Sequence, residues 1–366
     1  MTLLTQAQNG LFDLDPWAGQ RESTFNFELI NGVSGLVIAE LHPSRDNPPT
    51  LSHDTTRTIK RTLGPLVLDE TDTALVDSVN NRVRVSMIIG EHTYPLGRYV
   101  FMDHTRIRTT RGHASTSVLG DEMFIVDQKI ERGFSCRTQD IAGVVVSGEV
   151  VESAITRLVF ELPVVFTAEP TAFGSIGSWP QGTNRGRILD DLALDGDYFS
   201  PWFGNDYEMH VIRSFDPADR VPAFDWDAND VVMRDTITET SDLIDAANRI
   251  VVVSNTPSAI GTSTLPVVGV YNIPSSAPHS LLNRGFVITD VRELQLTHQS
   301  QAIAIAANIG QRGTVFERTE LSTALDPRHD SYDIIRWQGE NWLELAWSLV
   351  LREGSDMRHV IRKAYR

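Results

Sequence analysis

The stretch of sequence that decides the fold is residues 81–103, NRVRVSMIIGEHTYPLGRYVFMD. Its apolar side chains at Val83, Val85 and Met87 alternate with polar ones, and a period of two places one apolar face on a β-strand. Gly90 interrupts this pattern before a second extended run, which predicts a tight connection between two strands. The stretch therefore indicates antiparallel β-structure.

The neighbouring sequence extends this β signal from residue 25 to about residue 128. The runs FNFELI (25–30) and GLVIAEL (35–41) flank Asn31-Gly32, a dipeptide typical of hairpin turns. The run DTTRTIKRTL (54–63) is rich in β-branched residues, which favour strands. Several short strands at this spacing are typical of an antiparallel sandwich or barrel.

β signal returns near the C-terminus, in WLELAWSLVL (342–351). Its large apolar side chains alternate without interruption from Leu343 to Leu351, which predicts a half-buried strand with one apolar face. The basic residues 357–366 are expected to form a final strand or a tail. The continuous run Val251–Val253 predicts a strand buried on both faces.

Helical periodicity is confined to the middle of the chain. Apolar residues at 151–158 follow the spacing of an amphipathic helix. A second helix is expected to begin after Thr183 and to end at Gly196 in the left-handed conformation. A third is predicted over residues 297–309, with Gly310 as its stop.

Composition sets the class of protein. The chain has 366 residues, 41% of them hydrophobic, so we expect two to three globular domains. Its single cysteine, Cys136, excludes an internal disulfide and is predicted to be a small buried residue. No apolar run is long enough for a membrane span and the N-terminus lacks a signal-peptide pattern, so neither an anchor nor export is expected.

The net charge is −16, from 48 acidic and 32 basic residues. Residues 188–245 alone hold fifteen carboxylates against three arginines, a net charge of −12. Proteins that bind nucleic acid neutralise phosphates with their own positive charge. An acidic chain of this kind is therefore not expected to grip DNA, although it can lie beside it.

No motif for catalysis, cofactor binding or metal binding is found, so no residue is assigned to such a role and the protein is predicted not to be an enzyme. Ser135-Cys136 lacks the context of a nucleophile. No two histidines lie four residues apart, as a metal-binding pair on one helix face would. His329 is therefore interpreted as a surface or hydrogen-bonded residue. The acidic run 225–230 lacks the glycine and distal glutamate of a calcium loop and is interpreted as a solvated turn.

One basic patch lies within the N-terminal β region, formed by Arg106, Arg108 and Arg111. The spacing of two places Arg106 and Arg108 on the same face of a strand. Two interpretations stay open. The patch either pairs with acidic residues of a neighbouring subunit or is a solvated strand face.

Several stretches, taken in order, resemble one family. They are residues 54–63, 81–103, 178–198 (SWPQGTNRGRILDDLALDGDY), 247–255 (ANRIVVVSN), 284–290 (RGFVITD), 326–337 (DPRHDSYDIIRW) and 342–351. Together they resemble the tail hub proteins of long-tailed bacteriophages, also called baseplate hub or minor tail proteins, of the actinobacteriophage type. The resemblance covers about residues 25–366.

The resemblance implies an α+β, predominantly β fold with two tail-tube-like antiparallel β-barrel domains and two smaller mixed insert domains. The implied divisions are an N-terminal arm (1–23), a first barrel (24–128), a helix-containing insert (129–205), a second barrel (206–260 with 314–366) and a small insert (261–313). Some relatives continue into a fibre or hydrolase domain. This chain is expected to leave receptor binding and lysis to other proteins.

The resemblance also implies a homotrimer, without cofactors, at the tail tip of the virion, assembled in the host cytoplasm. Three copies with two similar barrels each present six quasi-equivalent faces to a sixfold tail tube or distal tail protein, and three identical faces to a fibre or spike. Such a ring is a channel for the genome without specific DNA binding. The alternatives are a hexameric distal tail protein, a tail-associated cell-wall hydrolase and a carbohydrate-binding module.

Under this resemblance the acidic segment acquires a candidate role. Asp225, Asp227 and Asp230 are expected to line the lumen of the ring, where negative charge repels the DNA backbone. The competing interpretation, that these carboxylates cover the outer surface, stays open.

Overall fold

The computed structural model describes most of the chain. The described residues are 23–109, 112–136, 139–141, 144–146, 151–159, 162–167, 178–215, 217–227, 237–241, 246–254, 267–275, 277–294, 299–313 and 317–363. Within this part of the chain, no helix is long and apolar enough to cross a membrane. Cys136 is buried, as predicted.

The strands of the N-terminal half are β1 (Ser23–Asn31), β2 (Val37–Leu41), β3 (Thr50–Asp54), β4 (Arg61–Leu68), β5 (Asn81–Ile89), β6 (His92–Thr109), β7 (Gly112–Gly120), β8 (Phe134–Ser135), β9 (Gln139–Ile141), β10 (Val144–Val146), β11 (Val164–Phe166) and β12 (Ser178–Trp179). Those that follow are β13 (Trp202–Phe203), β14 (Met209–Val211), β15 (Phe224–Asp225), β16 (Thr238–Ser241), β17 (Arg249–Ser254), β18 (Val267–Asn272), β19 (Thr289–Glu293), β20 (Glu317–Ala324), β21 (Ile334–Trp337), β22 (Glu340–Val350) and β23 (Asp356–Lys363). The helices are α1 (Glu70–Leu75), α2 (Met123–Val126), α3 (Val151–Val159), α4 (Arg185–Asp195), α5 (Leu281–Arg284) and α6 (Gln299–Gly313).

Strands from both ends of the chain share one sheet of 13 strands. Its main path runs β16-β20-β23-β22-β3-β4-β7-β6-β5-β1-β2, and β21, which pairs with β22, also carries β15. The α+β, predominantly β class is therefore confirmed. The path has two open ends, at β16 and β2, and among the described residues the strands do not close into a barrel.

The predicted N-terminal hairpins are confirmed. β1 pairs antiparallel with β2, and the Asn31 side chain accepts hydrogen bonds from the backbone N–H groups of Val33 and Ser34 in the turn. β5 pairs antiparallel with β6, and Gly90 adopts a φ of 60° in the connection. The run 54–63, predicted as a strand, instead contains the turn between β3 and β4. Its β-branched residues cap and shape that turn, since Thr56 bonds the Asp54 carboxylate through both its N–H and its hydroxyl.

The three predicted helices are confirmed, but two glycine assignments were wrong. Gly196 follows α4 with a φ of −80°, and Asp197 is the left-handed residue, with a φ of 64°. Gly310 lies inside α6 and does not stop it. A Cβ on Gly310 would lie 2.3 Å from the Tyr271 ring, so this glycine permits close packing of the helix on β18.

α6 covers one face of the sheet β18-β17-β19. Ile250 and Val252 of β17 are buried against α6, whereas Val251 and Val253 are only half-buried. The prediction that Val251–Val253 is buried on both faces was therefore wrong. A continuous apolar run does not by itself distinguish a two-sided core strand from a strand covered on one face.

β22 and β23 are confirmed as strands, yet the apolar residues of β22 do not share one face. A bulge between Glu344 and Ala346 shifts the register against β23. Leu343 packs with Phe199 and Trp202, whereas the later residues, Trp347, Leu349 and Leu351, pack in the largest β core. The extra residue reverses which side of the strand each later side chain faces.

Candidate functional site

The feature that joins the two β regions is the pairing of β3 with β22, which we call the seam. Its register places Leu51 opposite Leu349 and His53 opposite Trp347. The Thr55 N–H and hydroxyl both donate to the Leu345 carbonyl oxygen, each at 2.9 Å. Because the seam is a backbone ladder, the N-terminal and C-terminal strands form one continuous sheet with a shared core.

Directly beside the seam, Arg61 is 1% exposed and ties three parts of the chain together. Its guanidinium lies 2.5 Å from the Asp330 carboxylate, donates to the Asn205 side chain, and sits 5.6 Å from the centre of the Trp347 ring. Asp330 also accepts a hydrogen bond of 2.9 Å from the Trp202 indole. A buried cation with these partners positions residues 200–205, which include β13, against the large sheet.

Lys60, 2% exposed, makes a second polar link between the large sheet and the module that contains the helices α3 and α4. Its ammonium group donates to the Thr55 and Arg57 carbonyl oxygens and, at 2.9 Å, to the Ser200 hydroxyl. Ser200 in turn donates to Asp190 at the side of α4. Burial lowers the pKa of Lys60, and the Asp190 charge opposes this shift. We call Lys60, Arg61, Ser200, Asn205 and Asp330 the junction cluster.

Aromatic packing supports the junction cluster. The rings of Phe199 and Tyr332 stack with centres 4.2 Å apart, and Leu343 of β22 packs in the same group. The module that contains α3 and α4 therefore docks on the C-terminal strands through an apolar contact and on β4 through a polar one.

Two further groups at the junction have shifted pKa values. Burial lowers the pKa of His53 well below its usual value, and the charge on Arg61 lowers it further. The His53 Nε2 atom lies 3.0 Å from the Ser331 hydroxyl. Burial raises the pKa of Asp121 to about 6, although this carboxylate accepts the Arg61 N–H at 2.9 Å. Both groups are enclosed by packed side chains, and their hydrogen bonds hold Ser331 and the backbone of Arg61 in position.

The structure describes two of the three predicted lumen residues. Asp227 is exposed and accepts the N–H groups of Gln338 at 2.8 Å and Gly339 at 2.7 Å, in the turn between β21 and β22. Asp225 is half-buried in β15, opposite Arg336. Asp230 lies outside the described residues. Asp227 thus has a local structural role that the charge count alone did not reveal.

Other carboxylates of the acidic segment also serve the fold. Asp190 accepts from Ser200, Asp191 accepts from the Trp179 indole at 2.8 Å, and Asp206 lies 2.9 Å from His210 Nε2. Asp197 accepts from the Ser214 hydroxyl. Part of the charge of residues 188–245 is therefore used to hold this segment together.

The predicted basic patch lies on β6. Arg106 and Arg108 are both exposed, near the end of the long β6–β7 hairpin. Arg106 donates to the Val76 carbonyl oxygen at 2.8 Å and to His104 Nε2 at 3.1 Å. Arg111 lies outside the described residues. The patch does not join the junction cluster.

A buried cluster of two histidines and a glutamate lies between the C-terminal strands, and no sequence motif predicts it. His329 Nδ1 lies 2.7 Å from one Glu344 carboxylate oxygen, and His359 Nδ1 lies 2.6 Å from the other. Burial opposes ionisation of Glu344, but the positive charge of His329 lowers its pKa to about 2. The spacings of fifteen residues between these positions match no metal-ligand pattern, so only the folded chain reveals the cluster.

Three solved structures have a fold similar to that of this chain. The tail protein of Neisseria meningitidis MC58 has a TM-score of 0.57 and 9% identity, over 93% of this chain and 96% of that one. The prophage tail protein gp18 from Listeria monocytogenes EGD-e has a TM-score of 0.56 and 8% identity, over 93% and 95%. The chain has the fold of phage tail proteins.

A third similar structure is the 43 kDa tail protein of prophage MuSo2 from Shewanella oneidensis, with a TM-score of 0.54 and 11% identity over 92% of this chain and 98% of that one. No protein-family model matches the sequence, and no curated protein matches it. At these sequence identities the similarity shows a shared fold, and that fold covers nearly the whole of this chain.

Proposed function

We propose that this chain is the hub of a phage tail tip. In this role a homotrimer joins the sixfold tail tube or distal tail protein to a threefold fibre or spike, and its centre is the channel for the genome. The fold of phage tail proteins supports a structural tail role. The protein would act in the virion, after assembly in the host cytoplasm, without a cofactor and without catalysis.

The observation that carries the proposal is the seam. Strands from the two ends of the chain are hydrogen-bonded side by side through β3 and β22, so one chain supplies two β regions within a single sheet. A trimer of such chains provides six β regions around one axis, which matches a sixfold partner while keeping threefold identity. We keep the domain divisions that the resemblance implies as part of this proposal, with β17 at the border where the second β region pairs with the strands β18 and β19 of the small insert.

A ring needs two different surfaces on each copy, because its contacts are head-to-tail. The sheet has two open ends, and at one of them β2 carries exposed apolar side chains. Val37 is 51% exposed and Ile38 is 48% exposed, and Leu36 in the adjoining turn is 70% exposed. An apolar free edge is prone to association, so we assign β2 to the contact between copies.

The alternatives make different predictions. A distal tail protein would form a ring of six copies. A carbohydrate-binding module would display aromatic platforms, yet every tryptophan in the described residues is buried, at Trp179, Trp202, Trp226, Trp337, Trp342 and Trp347. A cell-wall hydrolase would clear peptidoglycan in a zymogram, and we expect no clearing.

Native mass spectrometry of the full chain, together with the symmetry of the reconstructed tail tip, tests the hub proposal. We expect three copies per particle. Ile38→Lys should shift the assembly towards monomers while leaving the circular dichroism spectrum unchanged, and the matched substitution Val270→Lys, at an exposed site on β18, should not. Six copies per ring, or a stable monomer in assembled tails, would refute the proposal.

The lumen role of the acidic segment is a separate proposal. Because Asp227 holds the β21–β22 turn, charge reversal there would perturb the fold as well as the charge. The sharper variant is Asp225→Asn with Asp230→Asn, which removes the charges at nearly constant side-chain size and keeps Asp227. Assembled tails should then release the genome more slowly. Unchanged release would favour the outer-surface interpretation for these carboxylates. For the exposed Arg106 and Arg108, neutralisation that leaves assembly intact would favour a solvated strand face over pairing with a neighbouring subunit.

A further inference from the structure

The buried cluster of His329, Glu344 and His359 is built from three separate segments. His329 precedes β21, Glu344 lies on β22 and His359 lies on β23, and their exposures are 2%, 0% and 0%. One potential ligand atom from each lies within 4.8 Å of the other two. Three buried side chains that can each donate a lone pair thus converge on one point.

Local structure explains the convergence. The bulge after Glu344 places its side chain on the same side of the β22–β23 ladder as His359, which is opposite Trp347. The loop that carries His329 is held by Asp326, whose carboxylate accepts the Arg328 N–H at 3.0 Å and its guanidinium. The fold therefore fixes all three residues before any ligand arrives.

The surroundings orient both imidazole rings. The Thr323 hydroxyl lies 2.8 Å from His359 Nε2, which leaves His359 Nδ1 facing Glu344. Phe224 stacks on the His329 ring at 3.9 Å between centres, and Trp226 meets the His359 ring edge-on at 5.2 Å. A hydrogen bond to the second ring nitrogen and a tight apolar shell are the features that orient histidine ligands of metals.

The donor set defines the class of ligand. Two imidazole nitrogens and one carboxylate oxygen suit zinc and related first-row divalent ions, whereas calcium and magnesium prefer oxygen ligands alone. Ligand atoms about 2.0 Å from a tetrahedral ion lie about 3.2 Å apart. The distance from each imidazole Nδ1 to its Glu344 oxygen, 2.7 Å for His329 and 2.6 Å for His359, therefore has to widen by about half an ångström when the ion binds.

We propose that His329, Glu344 and His359 bind a zinc-class divalent ion through three protein ligands, with water as the fourth ligand. Binding replaces the Nδ1 protons that both imidazoles direct at Glu344: His329 releases one proton to solvent, and the proton of His359 moves to Nε2, which then donates it to the Thr323 hydroxyl. The ion clamps the segment before β21 onto the β22–β23 hairpin, next to the seam. The site is independent of the hub proposal and of the number of copies in the particle.

Metal analysis and cobalt titration test the site on the full chain, purified without a histidine tag. We expect about one zinc per chain after purification. After removal of the metal with a chelator, Co²⁺ should give the strong visible absorption of a tetrahedral complex, zinc should abolish that absorption, and either ion should raise the melting temperature.

Glu344→Gln keeps the size of the side chain and should weaken Co²⁺ binding at least about 100-fold, as loss of a charged ligand does. His329→Asn is a second variant in case the first does not fold, and His42→Ala, at an exposed histidine, is the control that should bind as the wild type does. A wild-type protein without metal that gives no tetrahedral cobalt spectrum would overturn the proposal, as would wild-type affinity in a folded Glu344→Gln variant. In that case the cluster is a hydrogen-bonded triad in which each imidazole Nδ1 donates to Glu344.

Discussion

Replacing Arg61 by methionine tests whether the junction cluster holds the α3–α4 module on the sheet. Methionine replaces the aliphatic stem of arginine, so the change removes the charge and the hydrogen bonds while keeping the apolar contacts of the stem. Arg61 is 1% exposed and its partner Asp330 keeps a carboxylate whose strongest cation is gone. Breaking a buried ion pair from one side costs about 3–5 kcal/mol, so we expect the free energy of unfolding to fall by that amount.

Urea denaturation followed by tryptophan fluorescence is a suitable assay, because Trp347 lies beside Arg61 and Trp202 donates to its partner Asp330. Arg358→Met is the control. Arg358 pairs with Glu320 at 2.8 Å, but its side chain is 64% exposed, so its loss should cost about 0–1 kcal/mol. The double variant Arg61→Met with Asp330→Asn should lose about 1–3 kcal/mol less than the sum of the single variants.

The second measurement is which residues of the Arg61→Met variant exchange their amide hydrogens faster. Hydrogen exchange should speed up most in residues 199–211, which Arg61 and Lys60 hold against β4, and less in the distant β1–β2 hairpin. If Arg61→Met costs no more than Arg358→Met, or if exchange rises equally everywhere, the junction cluster does not position the module and the reasoning fails.

Three other substitutions test separate features. His53 stays neutral when folded but takes up a proton when unfolded near its usual pKa of about 6.5, so stability should fall as pH drops from 6.5 to 5. His53→Gln should flatten that slope in urea titrations, and an unchanged slope would contradict the assignment. A Cβ on Gly269 would lie 2.0 Å from the Ala302 carbonyl oxygen, so Gly269→Ala should cost about 1–3 kcal/mol or detach α6, whereas Val270→Ala on an exposed side chain should cost under about 0.5 kcal/mol. Leu343→Ala should cost about 2–5 kcal/mol and the half-buried Leu345→Ala clearly less, while equal losses would mean that the bulge does not set their burial.

Local sequence patterns determined the elements of this protein well. The alternation in residues 81–103, the hairpin at Asn31 and the apolar spacing of residues 151–158 each correspond to an element of the structure. These patterns are reliable because the period of side chains along a strand or helix is a property of a few neighbouring residues. The order of the motifs resembles that of tail hub proteins, and the solved structures bear out the phage tail fold.

Patterns of the same kind failed where packing partners decide the outcome. The alternation from Leu343 to Leu351 predicts one apolar face, yet the bulge after Glu344 sends Leu343 and Leu349 into different cores. Gly310 has the spacing of a helix stop, but its role depends on the Tyr271 ring that lies against it. In both cases the outcome depends on contacts between elements, which the side-chain period within one element does not encode.

The seam and the sites beside it were determined only by the tertiary structure. Nothing in the sequence of Lys60-Arg61 distinguishes two buried cations from two solvated ones, because their partners Ser200 and Asp330 lie 140 and 269 residues away. The meeting of His329, Glu344 and His359 likewise requires the β22–β23 register to be set first. The sequence alone determined the long hairpins and the three predicted helices, through short-range periodicity, but not the turn within residues 54–63. The pairing of β3 with β22, and every site that depends on it, was decided by long-range contacts that no local pattern encodes.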